Sequence, residues 1–454
     1  MARDSGRVHF IGVGGAGMSA VAYLLSRRGV SVSGSDGADG PYLRALAEAG
    51  IEVEVGHDSS AIDGATEVIV SSAIRESNPE LAAARAAGIP VIHRSEGLLR
   101  AVEGMRLIAV AGAHGKTTTA AMAVRALHGA GIDATFAIGA PVFGGVGAVG
   151  GAYAGESNVA VIEADESDGS FLAYEPEVAI ITNVEADHLD HYGTLEALED
   201  AFVAFAGRAR LLVACADDEG AGRVVTRIRG SEVAVVTYGS GTAADVILDE
   251  RGVERDGFRT PIRIPQPGWH NRLNAAAAWT AAVALGADGG MAAKGLSSYA
   301  GAGRRFEHRG TEDGVEVYDD YAHHPTEIVA LLKAARAHAS GRLVLLFQPH
   351  LYSRTRLLAE RFAAALTVPD ADVIVTGIYG AREEPEPGVS GDTIGRLVTP
   401  PEGGTFRVIE DLDEAALEAA RLAKTGGMVL TVGAGSVTDA ADRILEELRV
   451  REAG

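Results

Sequence analysis

Lys116 stands in Val110-Ala-Gly-Ala-His-Gly-Lys-Thr-Thr-Thr119, where glycines, an ammonium and hydroxyls follow one another without interruption. That order suits a polyphosphate. Backbone N–H groups at a tight turn and the positive end of the following helix both attract anions. Lys116 adds a point charge, and Thr117 a hydroxyl that can sit on a divalent cation. The candidate phosphate residues are therefore Gly112, His114, Gly115, Lys116, Thr117 and Thr118. The common P-loop places glycine six positions before the lysine, and here that position is Val110. A shortened loop is expected, not a motor or GTPase loop.

Two further runs end in metal-ligating side chains. Asn158-Val-Ala-Val-Ile162 leads into Glu163-Ala-Asp-Glu-Ser-Asp168, and Val178-Ala-Ile-Ile-Thr182 into Asn183-Val-Glu-Ala-Asp-His188. Hard oxygens suit Mg²⁺ or Mn²⁺, and one neutral imidazole nitrogen can join them. Thr117, Glu163 and His188 form the candidate metal set, with Glu166 and Asp187 as weaker candidates. His270, Asn271 and Asn274 precede an alanine-rich stretch expected to be helical over 275–285. Two amides three apart share one side of a helix start, so they cap it, read an adenine edge or hold phosphate. Later, Arg305 offers charge for a transferring phosphoryl group and Asp320 a carboxylate for ribose hydroxyls. His323 and His324 are adjacent, which is not the spacing of a helical zinc pair, and no zinc is expected.

These residues need strand ends and helix starts to hold them. Residues 7–12 read as a strand, followed by Gly12-Val-Gly-Gly-Ala-Gly-Met18, a helix over 19–28 and a strand ending at Asp36. A GxGxxG turn with an acid 24 positions after its first glycine matches a dinucleotide or nucleotide-diphosphate site. Strands and helices alternate from there to the end of the chain, which predicts α/β architecture with parallel sheets. A chain of 454 residues predicts about three domains. They are expected at 1–103, 104–302 and 303–454: Rossmann-like, P-loop ATPase-like and Rossmann-like.

Composition narrows the class. With 62 acidic against 40 basic residues the net charge is −22, which disfavours nucleic acid and anionic membranes as partners. The single cysteine, Cys215, lies in an apolar run and excludes a disulfide framework. No signal-peptide core and no 18-residue apolar run occurs. A cytoplasmic protein without membrane insertion is expected, as monomer or weak dimer.

Eight motifs in order resemble the Mur ligase family over nearly the whole chain. They are Gly12–Met18, Ala113–Thr119, Glu163–Phe171, Thr182–His188, His270–Asn274, Gly303–Phe306, Asp319–Glu327 and Phe347–His350. The resemblance implies ATP-dependent ligation. ATP phosphorylates the lactyl carboxylate of UDP-N-acetylmuramate, L-alanine attacks the acyl phosphate, and an amide, ADP and phosphate leave. It assigns Lys116, Glu163, His188, Arg305 and His323 to catalysis. It assigns the phosphate loop, His270, Asn271, Asn274, Arg305 and Asp320 to ATP, with Mg²⁺ or Mn²⁺. Gly14, Gly15, Ser35, Asp36 and Ser71 would hold the UDP-sugar, and His323, His350 and Arg354 the amino-acid and acyl side. The GxGxxG turn would thus bind UDP and not NAD.

Two departures stand out. Leu351 follows His350 where many relatives carry arginine, and Ser436 stands where relatives often have Asp. No counterpart is evident of the lysine that some members carbamylate. Two other readings compete: a family member that attaches a recycled tripeptide to the same sugar nucleotide, and an NAD-dependent oxidoreductase. The latter leaves the phosphate loop and Arg305 without a task.

Overall fold

Short runs of β-branched and aliphatic residues, closed by glycine or polar residues, become strands buried on both faces. Leu107–Ala111, Val178–Ile181 and Leu343–Phe347 are almost wholly buried, as parallel strands covered by helices must be. The computed structural model describes residues 6–144, 149–381, 383–400 and 402–453. The glycine-rich segment 139–155 thus has residues 145–148 outside the described residues, and the loop after Tyr379 has Arg382 outside them.

Three sheets form. The first contains β1 (Arg7–Ile11), β2 (Val32–Asp36), β3 (Glu52–Val55), β4 (Ala65–Val70) and β5 (Val91–His93) in the order β3-β2-β1-β4-β5, all parallel. Its helices are α1 (Ala16–Arg27), α2 (Pro41–Glu48), α3 (Pro79–Ala86) and α4 (Arg94–Ala101). The second sheet contains β6 (Arg106–Ala111), β7 (Thr135–Ala137), β8 (Ala152–Tyr153), β9 (Val159–Glu163), β10 (Val178–Ile181), β11 (Leu211–Cys215) and β12 (Ala234–Gly239). It is completed by β13 (Val246–Asp249), β14 (Gly252–Arg255) and β15 (Phe258–Thr260). Its order is β15-β14-β13-β12-β11-β10-β6-β9-β7-β8, parallel from β13 to β7 and antiparallel at both edges. The helix that follows β6, α5 (Lys116–Gly129), carries the phosphate-loop lysine as its first residue.

The third sheet contains β16 (Glu307–Glu312), β17 (Val315–Asp320), β18 (Leu343–Phe347), β19 (Ala371–Val375), β20 (Thr405–Val408) and β21 (Met428–Val432). Its order is β16-β17-β21-β18-β19-β20, antiparallel only at β16–β17. The chain divides into two compact units. One runs to Pro265 and takes in Asn271–Ala302; the other takes Gln266–His270 and everything from Gly303 on. In the first unit one apolar cluster spans both sheets, from Phe10, Met18 and Leu24 to Ala109, Ile162 and Phe171.

The α/β reading holds, and several elements differ from expectation. The alanine-rich helix begins at Trp269, not 275, so Asn271 and Asn274 lie inside its first turns. After β18 two short helices follow, Tyr352–Leu357 and Ala359–Leu366. α4 has no counterpart in the sequence reading. Its segment, Arg94-Ser-Glu-Gly-Leu-Leu-Arg-Ala, is short and carries a central glycine, which weakens a helical pattern. A capping box closed by His93 and Glu96 starts it instead.

Candidate active site

β6 ends at Ala111, and the chain turns through Gly112 and Gly115 before α5. Both glycines have positive φ, +134° and +83°. A Cβ on Gly112 would lie 2.1 Å from Thr182 Oγ1, and one on Gly115 would lie 2.8 Å from Asn274 Oδ1. No other residue fits either place without moving its neighbours. The loop rests on the end of β10. Asn183 accepts the His114 N–H through Oδ1 at 2.8 Å and donates to the His114 carbonyl at 2.9 Å. The Thr182 hydroxyl donates to the same carbonyl at 2.6 Å. The roles of Thr182 and Asn183 escaped the sequence reading, because a two-way amide clamp on a backbone leaves no spacing pattern.

Lys116 Nζ donates to Glu166 Oε1 at 2.8 Å and to the carbonyl of Gly112 at 2.7 Å. Burial works against its charge, but Glu166, Asp165 and Glu163 outweigh it and hold the ammonium above its ordinary value. Burial pushes Glu166 up, against the pull of Lys116. An ammonium in contact with one carboxylate and near two more keeps its proton. His188, in the left-handed region at φ +54°, brings Nε2 to 3.9 Å from Glu166 and 3.7 Å from Asp187. Glu163 accepts the Gly139 N–H at 2.9 Å. Glu166 and Asp187, the weaker candidates, thus stand at the centre of the cluster with Lys116 and His188.

Thr117 and Thr118 are buried in the first turn of α5. Asn271 and Asn274 are buried in their helix, with Asn274 Nδ2 3.5 Å from Asn271 Oδ1. The structure therefore brings Asn274 to the phosphate loop at Gly115. Burial holds His270 below the usual imidazole range, with Glu327 opposing.

The first glycine turn is closed by its own acid. Gly14 N–H donates to Asp36 Oδ2 at 2.9 Å, and the Ala38 N–H donates to Oδ1 at 3.2 Å. Gly15 caps the start of α1, and the Ser71 carbonyl accepts the Ile74 N–H in a turn beyond β4. Ser35 is placed differently from its assigned task. Its side chain is buried and donates to Glu80 at 2.6 Å. Glu80 is itself fully buried and also meets His9 and His57, at 3.2 and 3.1 Å. Ser35 sits at an inward-pointing position of β2, so its hydroxyl belongs to the interior.

In the second unit the turn Arg304-Arg305-Phe306 places two non-glycine residues at positive φ, Arg304 at +56° and Phe306 at +49°. Asp320 holds the turn. Its Oδ2 accepts the Phe306 N–H at 2.7 Å and its Oδ1 the Ala322 N–H at 2.8 Å. Burial pushes its carboxyl up to about 6 although Arg305 draws it down. The Arg305 guanidinium lies over the Tyr321 ring at 4.8 Å. Arg304 is tied to Asp319 at 3.0 Å, which separates a structural arginine from its neighbour.

His323 and His350 meet at the ends of β17 and β18, ring centroids 5.6 Å apart, and Tyr379 stacks on His350 at 5.8 Å. Arg354 is buried, with Nη1 3.3 Å from His350 Nδ1. Leu351 has φ +68°, and its N–H donates to the Tyr379 carbonyl at 2.9 Å. Ser436 takes a hydrogen bond from Gln348 at 3.2 Å. Tyr379 was missed as a site residue because it lies in a polar Pro/Gly-rich loop.

Comparison with known proteins accounts for this arrangement. Residues 7–105 match the Mur ligase family catalytic domain, 110–282 the Mur ligase middle domain and 304–435 the Mur ligase glutamate ligase domain. The chain is 49% identical to the UDP-N-acetylmuramate–L-alanine ligase of Kineococcus radiotolerans, over 98% of this chain and 97% of that one. The chain belongs to the Mur ligase family. The enzyme of the same name from Thermobifida fusca is 48% identical, over 98% and 97% of the two chains. The crystal structure of UDP-N-acetylmuramate–alanine ligase from Thermotoga maritima superposes on this Mur ligase with a TM-score of 0.80 at 29% identity, covering 99% of this chain and all of that one. No helix among the described residues of this Mur ligase is long and apolar enough to cross a membrane.

Proposed function

We propose that this Mur ligase joins the lactyl carboxyl group of UDP-N-acetylmuramate to the amino group of L-alanine while ATP becomes ADP and phosphate. Full-length identity near one half to ligases of that name carries the reading, and the convergence of Lys116, Glu166 and His188 supports it. A carboxylate is a poor acyl donor. Its oxygen attacks the γ-phosphorus and ADP departs. The amine then attacks the acyl carbon, and the tetrahedral adduct expels phosphate to leave the amide.

Each residue has a task in that scheme. The N–H groups of the Gly112–Lys116 turn and the ammonium of Lys116 hold the phosphates. Thr182 and Asn183 fix the turn before any ligand arrives. Arg305 neutralises charge on the transferring phosphoryl group, and Asp320 fixes the turn that carries it. His323 Nδ1 lies 3.0 Å from the Tyr321 carbonyl, which only accepts, so that nitrogen carries the proton. Nε2 is then the basic nitrogen, fit to take a proton from the attacking amine. His350 and Arg354 lie on the same side of the third sheet and serve the amino-acid and acyl groups. The UDP moiety goes to the Gly14–Gly15 turn beside Asp36 and Ser71.

Thr117, Glu163, Glu166 and His188 suit Mg²⁺ or Mn²⁺. Glu166 Oε2 is buried and has no hydrogen-bond partner among the described residues, which fits a hard cation. Such an ion would offset the charge of the phosphate oxygens. Domain limits at 1–103, 104–302 and 303–454 accompany this reading.

Release of ADP in the presence of UDP-N-acetylmuramate, measured across L-alanine, glycine, L-serine and the tripeptide of the recycling ligase, tests it. L-Alanine is expected to give the highest kcat/KM. Turnover with the tripeptide and none with L-alanine would move the chain to the recycling reaction.

A further inference from the structure

α4 begins at Arg94, immediately after His93 ends β5. The Arg94 guanidinium lies directly on Gly17 in the first turn of α1, where a Cβ would be 2.2 Å from Nη1. Its other end faces the second sheet. Nη2 is 3.8 Å from Asp165 Oδ2, and beside it His93 Nε2 is 3.7 Å from Asp168 Oδ2. Asp165 follows the end of β9 and precedes Glu166, the partner of Lys116. Neither side chain is sealed from solvent, with Arg94 at 29% and Asp165 at 42% exposure, so a ligand can reach them.

Resting on the function proposed above, we infer that Arg94 is a substrate-binding residue, positioned by Asp165, that links the sugar-nucleotide turn to the phosphate-loop cluster. Asp165 holds the guanidinium against Gly17, where it meets the diphosphate of the sugar nucleotide. A Cβ at Gly17 would shift the guanidinium from this place. A guanidinium carries five N–H donors in a planar fork, so it engages a carboxylate and a phosphate oxygen together. An ammonium could not span both in the same way. Asp165 adjoins Glu166, the partner of Lys116, so a diphosphate seated on Arg94 alters the field at Lys116. Occupation of one site is thereby felt at the other, and linkage makes the effect reciprocal.

Calorimetric titration of UDP-N-acetylmuramate without ATP, into wild type, Arg94→Ala, Asp165→Asn and the double variant, tests the link. Arg94→Ala is expected to weaken binding roughly 10- to 100-fold, the scale of a lost charge-assisted contact. Asp165→Asn is expected to weaken it about 3- to 10-fold, although Asp165 lies beyond the glycine turn. In the Arg94→Ala background the Asp165 change should add less than about twofold, since coupled residues are not additive. Arg94→Lys should restore only part of the affinity. Should Arg94→Ala fail to fold by circular dichroism, the cycle with Arg94→Lys replaces it. An Asp165→Asn variant that binds like wild type, or losses that multiply independently, would overturn the inference. A wild type that binds no UDP-N-acetylmuramate would instead remove the functional reading and the inference with it.

Discussion

Lys116 is the residue on which the proposed phosphate chemistry rests, and its surroundings say how. Three carboxylates keep it charged in a buried setting, so its loss removes positive charge where a transferring phosphoryl needs it. Lys116→Ala is expected to lower ADP release by about 100- to 1,000-fold, the scale of one electrostatic stabiliser. Calorimetry should find UDP-N-acetylmuramate affinity within a few-fold of wild type, because that ligand is assigned to the first glycine turn. Asp320 makes a second test. Its folded value of about 6 exceeds the ordinary carboxyl value of 3.8. The native state therefore holds the proton more tightly than the unfolded chain. This group's contribution to stability is fully present below about pH 4, falls as pH rises to about 6, and is level above that. The span corresponds to up to about 3 kcal/mol. Urea denaturation of wild type and Asp320→Asn between pH 4 and 7 should show the wild type losing ground across that interval. A constant difference would mean the carboxyl titrates normally.

Elements set the geometry that residues use. The phosphate loop is shaped by the end of β10 as much as by its own glycines. Gly112→Ala pushes a methyl into Thr182 and forces positive φ on an alanine. A stability loss of about 1–3 kcal/mol and a rise in the KM for ATP should follow. The turn after β18 carries strain in the other sense. Leu351 sits at φ +68° with its N–H and carbonyl both engaged, by Tyr379 and by Thr355. Leu351→Val should cost more than Leu351→Gly, by about 1–2 kcal/mol, because a β-branched side chain tolerates positive φ least. Thermal denaturation of the two variants side by side measures it; equal melting temperatures would show that the turn relaxes freely.

At the scale of the whole molecule, net charge is −22, yet the proposed substrates are a sugar nucleotide and ATP, both anions. Binding must therefore come from local N–H clusters and from Lys116, Arg94 and Arg305, not from a general attraction. Duplex DNA is expected to show no binding by fluorescence anisotropy at physiological salt. ATP or UDP-N-acetylmuramate at about 100 times its dissociation constant should stabilise the fold by about 2.7 kcal/mol, read as a rise in Tm. NADH giving such a rise where UDP-N-acetylmuramate gives none would favour the oxidoreductase reading.

Much of this protein is written locally. Strand ends carry glycine turns, acids and histidines because a parallel sheet presents its C-terminal edge to ligands, and such junctions are contiguous in the chain. That is why Gly112–Thr118, Glu163, His188, Arg305 and Asp320 could be proposed one by one. Their neighbours across the fold were not. Asn183 clamping His114, Glu166 taking Lys116, Glu80 claiming Ser35 and Tyr379 stacking on His350 are pairs far apart in sequence. Arg94 is the sharpest case. A short glycine-bearing helix gave no signal of its own, and only the packing of α4 between two sheets set its guanidinium on Gly17 and near Asp165. Local physics determines which residues a strand end can offer, and only tertiary packing decides what each of them touches.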